Sequence, residues 1–293
     1  MELRHIRYFL TVAEEGSFTK ASEKLCIAQP PLSRQIRDLE EELGSDLFIR
    51  KSKGLILTEA GERFLQYASR IRQLADQSLE DIREMNEGLT GTLYLATVEG
   101  YAPALFAGWI ASFKEKYPLV GYELWNGNSD DVVKRIQTGL SDIAVITAPY
   151  DEEGLDGKII YREPWVAMIP AGHPLAKETK KNYIKLEKLA PYELIIPSRQ
   201  SRKQEIENWF KPFGLEPKFF CRIAHVVNAY ELTASGAGIA IYPAAAARYV
   251  SDDVVIKRIK DPDVYANYVL VRSAERQLSK VADEFWNHIC STT

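Results

Sequence analysis

With 293 residues and a hydrophobic fraction of 46%, the chain has enough apolar surface for two or three compact units, which excludes disorder as its default state. A formal net charge of -4 does not by itself point to a nucleic acid. No run of about 18 uncharged apolar residues occurs and the opening Met1-Glu2-Leu3-Arg4-His5 lacks an apolar secretory core, so no membrane segment and a cytoplasmic address are expected. Cys26, Cys221 and Cys290 are scattered and form no CxxC pair; they read as small buried residues, not as a disulfide framework or zinc site.

Charge placement says more than the sum. Residues 1–58 carry nine bases and nine acids, yet 29–37 and 48–58 contain bases only, and these windows are candidate phosphate-facing surfaces. Ile6, Phe9, Leu10 and Ala13 mark one helical face that Glu14-Glu15-Gly16 ends. Ser17 or Thr19 can cap a short helix carrying Ala21 and Leu25. A tight connection leads to Leu32, Ile36, Leu39 and Leu43, an amphipathic stripe that starts after Pro30-Pro31, where proline is tolerated in a first helical turn.

Two short helices joined this way make a helix-turn-helix. If the stripe packs inward, Gln29, Pro30, Pro31, Ser33, Arg34 and Arg37 are left for DNA, with Gln suited to adenine, Arg to guanine and Ser to a base edge or phosphate. The acidic run Asp38, Glu40, Glu41 and Glu42 lies at the far end, away from the groove. Leu47-Phe48-Ile49 and Leu55-Ile56-Leu57 then read as a hairpin whose basic turn offers Arg50, Lys51 and Lys53 to phosphate or the minor groove, a wing.

Residues 2–65 resemble the LysR-type transcriptional regulators, through Phe18-Thr19-Lys20-Ala21-Ser22-Glu23-Lys24-Leu25, Gln29-Pro30-Pro31-Leu32-Ser33-Arg34-Gln35-Ile36, Leu39-Glu40, Leu43-Gly44, Leu47-Phe48, Arg50 and Leu57-Thr58-Glu59-Ala60-Gly61. The resemblance implies a DNA-binding domain, a long dimerising helix and a two-lobed effector domain, normally assembled as a tetramer. The implied fold class is α/β multidomain: a mainly α winged helix-turn-helix (1–58), a linker helix and hinge (59–90), and an effector domain of type II periplasmic-binding-protein fold (91–293). Lobe I would take about 91–161 and 266–293, and lobe II about 162–265.

Thr58 can cap a helix to about Glu87 whose pattern Phe64, Ala68, Ile71, Ala75, Ser78, Ile82 and Met85 alternates intervals of four and three, a heptad seam. Some thirty residues span about 45 Å, too long for a sixty-residue domain to bury, so a second copy is the expected partner. Beyond Gly88-Leu89-Thr90-Gly91 the pattern turns to βαβ. Strands are predicted over 93–98, 121–125, 143–147, 165–169, 193–196, 219–223, 238–242 and 266–271, and helices over 103–117, 129–138, 200–211, 229–235 and 279–289. The expected ligand site is the cleft between the lobes, on loops at strand ends. Its candidates are Thr97, Val98 and Glu99 after the first strand, Asn128 and Ser129 after the second, and Ser198, Arg199, Ser201 and Arg202 at a helix start suited to an anion.

Relatives commonly place a small hydroxyl residue where Glu99 stands, so this carboxylate speaks against a simple carboxylic acid as effector and raises an amine-bearing ligand or an outward-facing side chain as alternatives. The resemblance is weaker here, resting on Ile169-Pro170-Ala171-Gly172-His173-Pro174-Leu175-Ala176 and Ala234-Ser235-Gly236-Ala237-Gly238-Ile239-Ala240.

Other classes fit less well. The sequence has no GxSxG, HExxH, Walker A or GxGxxG run, and His5, His173, His225 and His288 are dispersed, so no enzyme, cofactor or metal is expected, and His173 reads as a turn residue. A free-standing solute-binding protein would leave 1–58 unexplained. A redox sensor would have only Cys221 and Cys290 to use. The expected partners are double-stranded operator DNA, a small-molecule effector, further copies of the chain as a dimer or tetramer, and RNA polymerase.

Overall fold

The computed structural model describes residues 1–51, 54–87, 89–177, 182–249 and 252–292, with backbone only at 50, 51, 73, 77, 80–87 and 249. Helix α1 (Leu3–Glu15) stops at Gly16, which takes the left-handed conformation at φ 58°. Ser17 caps α2 (Phe18–Lys24) by accepting from the Lys20 N–H. The turn into α3 (Gln29–Leu43) passes through Cys26 at φ 53°. This conformation is uncommon for a non-glycine residue and marks a tight surface turn. The cysteine expectation is corrected: Cys26 is exposed, and Cys221 and Cys290 are half-buried.

Strands β1 (Phe48–Lys51) and β2 (Gly54–Leu57) pair antiparallel, Phe48 opposite Leu57 and Lys51 opposite Gly54. Helix α4 (Glu59–Glu87) follows, and Thr58 accepts from the Gly61 N–H at 2.9 Å in its first turn. Phe9 holds the N-terminal core together, its ring 4.8 Å from Phe64 and 5.3 Å from Phe48, with Leu32, Ile36, Leu39 and Leu47 buried around it. Leu43, expected inward, is exposed one turn past the end of this core.

The remainder runs β3 (Gly91–Thr97), α5 (Ala102–Lys116), β4 (Val120–Asn126), α6 (Ser129–Gln137), β5 (Ile143–Thr147), β6 (Leu155–Pro170), α7 (Pro174–Lys177), β7 (Tyr183–Lys185) and β8 (Glu193–Pro197). It continues through α8 (Gln200–Phe210), β9 (Lys218–Ile223), α9 (Val226–Ala234), β10 (Ile239–Pro243), β11 (Val254–Lys260), β12 (Tyr265–Ser273) and α10 (Lys280–Thr292). In the first lobe β4, β3 and β5 are parallel, and β12 pairs antiparallel with β5 and with the first part of β6. In the second, the last part of β6 pairs antiparallel with β10 and β11, while β10, β8 and β9 are parallel.

Strand β6 thus serves both lobes, and the expected junction near 161–162 falls inside it. The periodicity missed β7, β11 and the outer half of β6 because Lys158, Arg162, Lys257, Arg258 and Lys260 interrupt their apolar alternation. Helix α10 returns to the first lobe, with Phe285 against Phe113 of α5 at 4.9 Å.

Candidate functional site

Burial of Leu32, Ile36 and Leu39 leaves Gln29, Pro30, Pro31, Arg34 and Arg37 exposed along the outer side of α3. Neither Arg34 nor Arg37 is in an ion pair among the described residues, so both guanidinium groups are available to an anionic surface. Ser33 is half-buried and shares with Arg37, Phe18, Glu40 and Phe48 a small recess between α3 and the hairpin. Of the basic turn, Arg50 and Lys51 lie in β1 with only their backbone described, and Lys53 lies outside the described residues.

Part of the acidic run has a structural task that its spacing did not announce. Glu40 accepts the Leu47 and Phe48 N–H groups at 2.8 and 3.2 Å and so fixes the root of the hairpin against α3.

The expected seam on α4 is divided. Phe64, Ala68 and Ile71 pack on the N-terminal core of their own chain, because α1 lies across the first turns of α4. Ala68 is fully buried within its own chain and leaves the expected pairing seam, whereas Phe64 and Ile71 are half-buried. Ala75 and Ser78 lie beyond this contact, with Leu74 and Leu79 on either side of them 66% and 59% exposed. The side chains of Ile82 and Met85 lie outside the described residues.

Between the lobes lies a cavity of about 450 Å³. It opens where six strands end: β3 at Val98 and Glu99, β4 at Trp125 to Asn128, β5 at Thr147, β8 at Ser198 and Arg199, β9 at His225, and β10 at Tyr242. Carboxyl ends of parallel strands converge there by topology. Of the sequence candidates, Val98, Glu99, Asn128, Ser129, Ser198, Arg199 and Arg202 line it. Thr97 and Ser201 do not: Thr97 is buried, with its hydroxyl donating to the Val98 carbonyl at 3.0 Å, and Ser201 lies on α8 outside the wall.

Sequence reasoning missed Trp125, Thr147, Trp165, His225, Tyr242 and Tyr268. Most of these sit at or near strand ends, so applying the strand-end rule to every predicted strand would have found them.

Two contacts cross this cleft. Arg199, its side chain 10% exposed, donates through Nη2 to Asp130 Oδ1 at 2.6 Å and to the Pro149 carbonyl at 3.0 Å, while Nε and Nη1 are buried and unpaired. Glu99 reaches the other way, accepting from His225 Nδ1 at 2.6 Å and from the Val226 N–H at 3.1 Å. Below, Glu163 accepts from the Tyr268 hydroxyl and the Ala245 N–H at 2.5 and 2.7 Å. Burial raises the Glu163 carboxyl above the usual carboxylate range. Burial first, and then Glu163, raise the Tyr268 phenol far above its ordinary value, so it stays a donor.

A winged helix-turn-helix joined by a long helix to a two-lobed fold with a central cavity defines a DNA-binding sensor of small molecules. The family model "Bacterial regulatory helix-turn-helix protein, lysR family" matches residues 3–62, and "LysR substrate binding domain" matches 86–292. The transcriptional regulator BenM of Acinetobacter baylyi is 31% identical over 279 residues, covering 94% of this chain and 91% of that protein. The crystal structure of CbnR, a LysR family transcriptional regulator, superposes with a TM-score of 0.73 at 26% identity, covering 100% of this chain and 99% of that one. Full-length CbnR complexed with its target DNA gives 0.72 at 27%, with both chains fully covered. The chain belongs to the LysR family of transcriptional regulators. It is a DNA-binding regulator with an effector-binding domain, and not an enzyme.

Proposed function

We propose that this regulator reads a duplex operator with Gln29, Ser33, Arg34 and Arg37 of α3 while Arg50, Lys51 and Lys53 of the wing hold phosphate. It works in the cytoplasm as a dimer or tetramer paired through α4, which presents two or more DNA modules to a repeated site. No helix among the described residues is long and apolar enough to cross a membrane. An effector bound between the lobes changes their angle, and with it the assembly's geometry, the DNA bend and the contact with RNA polymerase. The observation that carries this reading is the inter-lobe cavity, whose walls come from both lobes and which Arg199–Asp130 and Glu99–His225 bridge. A change in cavity content therefore acts directly on the lobe angle.

Footprinting and bending assays on full-length protein test it: length or bend must differ with and without an effector, and identical values overturn the reading. Within the same assay Arg34→Ala is expected to weaken specific operator binding by about 1–3 kcal/mol. Lys51→Ala lowers specific and non-specific binding together with a shallower salt slope. Equal losses on all sequences for both variants would move Arg34 to the phosphate-binding group.

A further inference from the structure

We infer that the ligand of the inter-lobe cavity is an amine-bearing small molecule whose ammonium group is received by Glu99, and that Glu99 excludes ligands presenting a carboxylate there. The inference rests on the sensor reading above and assigns the chemical class of what that site binds.

Glu99 stands on the loop after β3 in the first lobe, and its carboxylate sits at the start of the nine-residue α9 in the second. A helix start offers unpaired N–H groups and partial positive charge, the place where a free carboxylate would otherwise bind. Here the chain's own carboxylate fills it. A ligand carboxylate arriving beside it would meet a like charge in a half-enclosed cavity.

The charges around the cavity lean the same way. Two carboxylates line it, Glu99 and Asp131, and two guanidinium groups, Arg199 and Arg202. Each guanidinium already has a carboxylate partner outside the wall, Asp130 at 2.6 Å and Glu205 at 2.5 Å. Four carboxylates therefore surround two fixed cations. Among the described residues Glu99 is bound by His225 and the Val226 N–H, and the Asp131 carboxylate takes the neutral Asn128 amide. The charge the wall leaves unmatched is negative, so the ligand charge that matches it is positive.

The remaining features fit the body of such a ligand. Trp125, Tyr242 and Tyr268 give the cavity aromatic walls, surfaces that attract a cation as well as an apolar ring. A cavity of about 450 Å³ suits a molecule of one or two rings. Arg199 lines the cavity with its Nη2 on Asp130, so its charge is already balanced and this wall calls for no ligand carboxylate.

The test is isothermal titration of full-length protein with benzylamine and with benzoate, which share a ring and differ in the sign of the charge. Benzylamine is expected to bind wild type at least about tenfold tighter than benzoate. Glu99→Gln, which keeps the shape and drops the charge, should reduce that preference to about twofold or less. Glu99→Ser, which vacates the start of α9, should reverse it. Benzoate binding wild type as well as or better than benzylamine overturns the inference, as does an absence of benzylamine binding or a preference that Glu99→Gln leaves intact.

Ala224→Trp, which fills the cavity mouth, separates the two readings. Benzoate binding to wild type that Ala224→Trp abolishes overturns the amine class and leaves the cleft as a ligand site. Benzylamine binding that survives Ala224→Trp lies outside the cleft and overturns the assignment. Failure of the sensor reading itself is seen separately, in footprint and bend.

Discussion

Glu163 shows how a single buried group can make this protein respond to pH. Its side chain is 3% exposed beneath the cavity, and burial raises its carboxyl despite the lowering hydrogen bonds from Tyr268 and Ala245. The folded protein thus keeps a proton that the unfolded chain has released. This group's stabilising share is complete below the unfolded pKa of about 4.3 and is lost as pH rises through the higher folded value. Glu163→Gln removes that loss, so its stability relative to wild type should rise with pH across this window in urea titrations; a pH-independent difference refutes the assignment. Gly61 is constrained differently. A Cβ there would lie 2.1 Å from the Leu47 carbonyl oxygen, where α4 passes the end of the wing. Gly61→Ala is expected to cost about 2–3 kcal/mol in chemical denaturation, since backbone on both sides must shift. The contacts of both residues escaped the sequence reading for one reason: nothing in their neighbours along the chain reveals a contact made across the fold.

At the scale of elements, the helix-turn-helix was the most legible part. Its stripes repeat over three or four turns, and each helix boundary carries a local signal, Gly16 after α1, Ser17 before α2 and Pro30-Pro31 within the first turn of α3. The wing's hairpin was equally plain, but the device that seats it was not. Glu40 looked like one member of a solvated acidic run, whereas its carboxylate binds two backbone N–H groups of the hairpin root. Glu40→Ala should cost about 1–2 kcal/mol and speed hydrogen exchange at Leu47 and Phe48; unchanged exchange there would show that the hairpin is held by its apolar contacts alone. On α4 the expected helix forms, yet heptad spacing cannot say which copy of the chain covers a stripe. Ala68 is buried in the core of the same chain and Phe64 and Ile71 are half-buried against it, while Tyr67, Leu74 and Leu79 are left exposed.

For the whole molecule, that free stretch makes a prediction about assembly. Leu74→Glu places a charge in an exposed apolar stripe without touching the N-terminal core, so it should leave the melting transition of that core in place while lowering the mass measured by light scattering. A mass equal to wild type would put the pairing surface elsewhere. Strand β6 has a comparable reach inside the chain: it pairs with β12 in one lobe and with β10 and β11 in the other, so both lobes share one backbone. The cavity between them collects side chains from Val98 to Tyr268, and no local pattern lists them together. The sequence by itself determined the DNA-binding module, most of the strands and helices of the lobes, and most of the strand-end loops that line the cavity, because helix stripes, capping residues and strand alternation are short-range consequences of backbone geometry. Only the tertiary structure decided which side of α4 remains free, that Glu40 anchors the wing, and that Glu99 spans the cleft to α9. Each of these depends on a side chain meeting a backbone group or an apolar face distant in sequence, and that meeting exists only once the chain has folded.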